Sequence, residues 1–157
     1  MNQFDRFREV TREIHDLIGI EPQEPLDGQH GRWVTDLEID GIAMAIMYSP
    51  AEHPDSLCLV CAFGTMPEAR KQEIVASLLR FNFTLSISGN ASFCINPTTG
   101  EVLFVTRLGI MQATSRLILS TLQRISEQAR LWRATYFLGM EFESSDVLAL
   151  CASSMRA

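Results

Sequence analysis

Apolar residues recur at three- and four-residue intervals from the start of the chain, at Phe4, Phe7, Val10, Ile14, Leu17 and Ile18. That period predicts an amphipathic helix with one apolar stripe, stopped near Gly19. The next segment, EPQEPLDGQHG, holds two prolines and two glycines and reads as an exposed connection. From Arg32 the period changes to two: Trp33, Thr35, Leu37 and Ile39 face one side, and Val34, Asp36, Glu38 and Asp40 the other. This is a strand with one wet face. Asp40-Gly41 then supplies a two-residue turn suited to positive φ, and Ile42 to Tyr48 returns as the second strand.

After a loop carrying Pro50 and Pro54, the run Leu57 to Phe63 is apolar at every position and predicts a central strand covered on both faces. Thr65-Met66-Pro67-Glu68 has the spacing of a capping box, so a helix is expected to begin here. It carries Ile74, Val75, Leu78, Leu79 and Phe81 inward and is broken at Ser88-Gly89-Asn90, while Phe83 to Ile87 reads as either helix or extended chain. A short strand around Ala91 to Ile95, the turn Asn96-Pro97-Thr98-Thr99-Gly100 and a strand from Glu101 to Leu108 form a second hairpin. A long helix over about Ala113 to Leu138 places Ile118, Leu122, Ile125, Ala129, Trp132 and Tyr136 on a heptad-like seam. The repeat is too short for an exposed coiled coil and suits a helix lying on the sheet.

The order is helix, three strands, helix, two strands, helix. It predicts an α+β class: a twisted, mostly antiparallel five-stranded sheet packed by helices, in a single domain over residues 1–138. Residues 139–157 read as a tail in which a short helix fits near Val147 to Cys151.

Composition narrows the function classes. A hydrophobic fraction of 46% argues against disorder. No apolar run reaches the roughly 20 residues of a membrane span, and the first residues lack the pattern of a secretory signal, so a soluble cytoplasmic protein is expected. The net charge of −6 is uneven: residues 1–60 hold twelve acidic residues against four arginines, and the remainder seven against nine basic ones. Such a field disfavours nucleic acid and suits a cationic or neutral peptide, although a merely solvated surface explains it equally well.

Candidates for catalysis are weak. Cys58, Cys61 and Cys94 lie in apolar strand-like runs, and Cys58 and Cys61 would fall on opposite faces of a strand, unlike a redox pair. No second pair of Cys or His completes a zinc site with these two thiols. His15, His30 and His53 have no evident nucleophile partner, and local signatures for acyl transfer, zinc hydrolysis or nucleotide binding are missing. Asp36, Glu38 and Asp40 share a strand face and fit acid-base or metal chemistry less well than the ordinary wet side of a strand. No catalytic residue, metal or cofactor is therefore expected. What remains is polypeptide-binding surface: Met44, Met47 and Met66 with the Phe4 and Phe7 face give adaptable apolar area, and the alternating strand is able to accept an added strand.

The succession LLRFNF followed by NPTTGEV, together with length, acidity and element order, resembles the Tir chaperone family, the class I type III secretion chaperones. Leu78, Leu79, Asn82, Pro97, Thr99, Gly100 and Val102 are the most family-like positions, and the resemblance spans about residues 3–138. It implies a small cytoplasmic homodimer that holds the chaperone-binding segment of a secreted effector extended, without hydrolysing nucleotide; the separate secretion ATPase is a further expected partner. Carried onto this chain, it implies dimer contacts at Ile74, Leu78, Phe93 and Ile95, and client contacts at Phe4, Phe7, Leu37, Ile39, Met44 and Ile46. Two other readings stay open, an α+β adaptor that binds folded partners and a thiol-based enzyme using Cys58 or Cys61.

Overall fold

The computed structural model describes residues 2–28 and 31–138. His30, Cys151, the tail 139–157 and the short helix expected near Val147 to Cys151 lie outside the described residues.

Helix α1 runs Gln3–Ile18. The Asn2 side chain accepts from the Asp5 N–H at 2.8 Å, and Gly19 ends the helix in the left-handed region at φ 76°. The following connection is pinned back by the Gln23 N–H, which donates to Nδ1 of buried His15 at 3.1 Å. It contains a strand that the sequence pattern does not reveal, β1 at Leu26–Asp27, which pairs antiparallel with β2, Trp33–Ile39. A two-residue strand is too short to show a period. Gly28 closes it against β2, where an added Cβ would stand 2.8 Å from the Arg32 carbonyl oxygen.

β2 and β3, Ile42–Tyr48, are joined by Asp40 and Gly41 at φ 52° and 76°, the two-residue turn expected from the sequence, with Ile39 opposite Ile42. β4, Ser56–Gly64, adds next. A turn of 3-10 helix at Glu68–Arg70 precedes α2, Lys71–Ser88, which is helical through Phe83 to Ile87. The capping box does not form: the helical turn starts at Glu68, so Pro67 takes the cap position and Thr65 stands too early in the chain to reach its N–H groups. β5, Ala91–Ile95, and β6, Val102–Gly109, form the second hairpin; Asn96 Oδ1 accepts from the Thr98 N–H at 2.9 Å and Gly100 sits at φ 74°. α3, Ser115–Thr135, is capped by Thr114, whose hydroxyl oxygen accepts from the Leu117 N–H at 3.2 Å.

The sheet has six antiparallel strands in the order β1-β2-β3-β4-β6-β5, one more than the five expected because of β1, and the α+β class is as read. Helices α1 and α3 cover one face. Phe7 packs on Tyr48 and Trp132 on Phe63, and the α3 seam at Ile118, Leu122, Ile125, Ala129 and Trp132 is buried against the sheet. Arg133 ties the end of α3 to β4, donating from Nε to the Phe63 carbonyl at 2.8 Å and from Nη2 to that of Ala62 at 2.9 Å. α2 lies along the β5 edge and sends Ile74, Leu78 and Leu85 into the core, whereas Leu79, read as inward, points out.

Burial disfavours the imidazolium of His15 and lowers its pKa. The folded chain then binds fewer protons than the unfolded one below the ordinary histidine value, so this contribution to stability is present near neutrality and is lost as pH falls through the lowered value. Urea midpoints are expected to fall between about pH 7 and pH 5, and to fall less in His15→Gln; equal slopes in the two proteins would show that His15 does not carry the effect.

Candidate functional site

Strand β4 is flanked by β3 and β6, and its alternate residues divide cleanly. Leu57, Leu59, Cys61 and Phe63 are buried under the helices, while Cys58, Val60 and Ala62 remain half-buried on the other face. The sequence predicts cover on both faces; among the described residues, the helices pack on one. Strand register builds the open face row by row. Ala45, Val60 and Val105 lie side by side, flanked by Asp36 on β2 and Ser92 on β5. The neighbouring row is Val34, Met47, Cys58 and Arg107, and Ala62 pairs with Leu103 on the other side. The result is a shallow apolar slab with exposed Asp36 and Glu38 on its β2 rim.

The same rim carries an unpaired sheet edge. β1 pairs with β2 only at Trp33 and Val34, so the outer edge of Thr35–Ile39 has no strand partner among the described residues. Free N–H and C=O groups on such an edge are a template for an added strand.

The six residues expected to face a client fall differently. Phe7, Leu37, Ile39, Met44 and Ile46 are buried in the layer between sheet and helices and present little or no surface in the folded chain. Strand alternation explains this: the strip under α1 is the same parity of β2 and β3 that carries these side chains. Phe4 is half-buried beside Trp33, with ring centroids 4.5 Å apart. Met47, the neighbour of opposite parity, reaches the open face instead, and Met66 is partly buried against the core.

A second apolar surface lies at the β5 edge. Leu79, Phe83 and Ile87 repeat every fourth residue on the outer side of α2, exposed by 63%, 68% and 71%. Ile95, exposed by 44%, sits at the end of a groove lined by Val75, Leu78, Leu79, Asn82, Phe93 and Cys94. Of the residues expected at a dimer contact, Ile95 is exposed on this surface, Leu78 and Phe93 line the groove but are nearly buried, and Ile74 is buried within the chain. The sequence pattern misses Phe83 and Ile87 because α2 is apolar on several sides, which leaves no polar stripe to orient it. Asn82 closes the strand edge inside the groove: its Oδ1 accepts from the Phe93 N–H at 2.7 Å and its Nδ2 donates to the Phe93 carbonyl at 2.9 Å.

The groups considered for chemistry do not converge. Burial pushes the Cys61 thiol up to about 12 and raises those of Cys58 and Cys94, so the nucleophilic thiolate is disfavoured at all three. Asp36 and Glu38 share the open face, Asp40 sits in the turn, and among the described residues no three acidic, thiol or imidazole groups gather as a cation site would need. Among the described residues no helix is long and apolar enough to cross a membrane.

The model of the Tir chaperone protein (CesT) family matches residues 31–133, and the chain belongs to that family. No curated protein matches its sequence. Its fold is similar to the crystal structure of the ExsC–ExsE complex, with a TM-score of 0.69 and 16% identity over 87% of this chain and 97% of that one. It is similar also to the HopA1–SchA chaperone–effector complex, with a TM-score of 0.59 and 14% identity over 83% and 94% of the two chains. An uncharacterised protein from Methanothermobacter thermautotrophicus follows at 0.52 and 18% identity, over 84% of this chain and 99% of that one.

The paired Asn82 contacts give this groove a measurable signature. Asn82→Ala is expected to lower unfolding stability by about 1–3 kcal/mol, the usual effect of stranding a partly enclosed donor and acceptor. An unchanged urea midpoint would show that water replaces the side chain without loss.

Proposed function

We propose that this Tir chaperone family member binds secreted effector polypeptide, keeping a segment of it extended on the open sheet face and the free β2 edge. The observation that carries the reading is the apolar row Ala45, Val60 and Val105 at the centre of the sheet, left half-buried by the helices among the described residues. An apolar surface of this kind, rimmed by polar residues, suits a protein partner. The free edge offers main-chain hydrogen bonds that any client sequence is able to use, and the slab supplies side-chain selectivity. Phe4 and Trp33 pack together on the helix-covered side of the sheet and stand off this route. Residues 1–138 act as the chaperone domain in this account, with 139–157 as its tail.

A second copy of the chain is the partner proposed for the α2 surface. Leu79, Phe83 and Ile87 would each contribute about 1.5–3 kcal/mol on full burial. A two-fold pair contributes the patch twice, enough to offset the cost of association, which is of order 4–15 kcal/mol. The likeness to chaperone–effector structures supports the fold side of this reading. Binding of this type consumes nothing, so neither nucleotide hydrolysis nor a cofactor enters, and the raised thiols count against the thiol-enzyme alternative. The setting proposed is the bacterial cytoplasm, with delivery to the secretion ATPase as a later step.

The experiment is co-expression with a secreted protein encoded beside it, followed by native mass spectrometry without added nucleotide. A soluble complex of two chains with one client is expected, and Phe83→Glu is expected to reduce the free protein to a single 17.6 kDa chain. A client that stays insoluble, or one bound only through an independently folded domain, contradicts the chaperone reading and favours the adaptor.

A further inference from the structure

We infer that Arg107 is a specificity anchor that pairs with an acidic side chain of the polypeptide docked on the open face. The inference rests on the docking reading above and adds the chemistry that the face selects. Arg107 lies on β6 directly opposite Cys58 of β4, within the row that continues to Met47 and Val34. Its Nη1 is enclosed and has no hydrogen-bond partner among the described residues. A guanidinium nitrogen withheld from water without a partner is unfavourable, and its planar fork matches a carboxylate.

The carboxylates around it are already taken. Arg107 borders a pocket of about 170 Å³ shared with Arg32, Met47, Ser49, Glu52 and His53. Glu52 is held by Arg32, from Nη2 at 2.7 Å and from Nε at 3.2 Å, and accepts from the Ser49 hydroxyl at 3.3 Å. Asp55, near in sequence, accepts from Gln3 Nε2 at 2.6 Å. Arg107 thus brings an unmatched positive charge to an otherwise apolar slab, in a chain whose net charge of −6 disfavours nucleic acid. The other end of the slab has the opposite sign, since Asp36 and Glu38 stand three strands away on β2, about 14 Å at the usual strand spacing. The occupant that fits is an apolar segment with an acidic residue at the β6 end and no acid at the β2 end.

A displayed library of random twelve-residue peptides selected on the full chain supplies the probe. Peptides enriched on the native protein are expected to carry Asp or Glu among apolar residues. Replacing that acid by Asn or Gln in a synthesised peptide is expected to weaken binding about tenfold, as loss of a charge-assisted pair does. Arg107→Gln should abolish the preference, and Arg107→Glu should turn selection toward Lys and Arg; Arg107→Lys, which keeps the charge, should retain the preference in weaker form. Selected peptides that bind Val60→Asp as well as the native chain lie elsewhere, which overturns docking on this face and the inference with it. Peptides that need Val60 yet ignore the acid-to-amide change overturn the Arg107 pairing alone.

Discussion

Strand β4 is apolar on both of its faces, and among the described residues the helices cover only one. Leu57, Leu59, Cys61 and Phe63 join α1 and α3 in a close-packed layer, where Phe63 meets Phe93, Phe104 and Trp132. Among the described residues, Cys58, Val60 and Ala62 receive no such cover. Burial of the first set fixes the register of the strands, and because side chains alternate, it also fixes the second set on the opposite surface. The open slab is therefore a consequence of the core: no change of register closes one without exposing the other.

The sheet order separates the two surfaces proposed for partners. β5 forms one edge, where Asn82 satisfies the backbone of Phe93 and α2 presents Leu79, Phe83 and Ile87. At the other edge, β2 has no strand partner among the described residues beyond its short pairing with β1. A copy of the chain at the first edge leaves the second, and the slab between them, open to an extended client. The charges follow the same axis, acidic at the β2 rim and basic at Arg107 on β6.

Turn chemistry made much of this fold legible. Asp40-Gly41 and Asn96 to Gly100 specify their hairpins through positive φ and side-chain-to-backbone bonds, local features that need no tertiary information. The heptad-like spacing of Ile118 to Trp132 located the seam of α3 for a similar reason. Facing was harder. An all-apolar strand looks the same whether its second face meets a helix or a partner, so Val60 was hidden inside a reading of full burial. The wet parity of β2 was correctly recognised, yet the buried parity carries Leu37 and Ile39, which the family resemblance had put forward as client contacts. On α2 the same ambiguity concealed Phe83 and Ile87. The acceptor that His15 offers to Gln23 and the two-residue β1 depend on contacts between segments with no periodic trace.

The central claim is that polypeptide occupies the face left open by the helices and leaves the helix-covered face shut. Methyl resonances report both faces in one measurement. On titrating the labelled protein with the binding segment of its secreted client, the methyl groups of Val34, Val60, Leu103 and Val105 are expected to shift, while those of Ile46, Leu59 and Ile118 hold their positions. Shifts concentrated at Ile46, Leu59 and Ile118 with a silent Val60 and Val105 would contradict the account, since the client would then have to enter by opening the core.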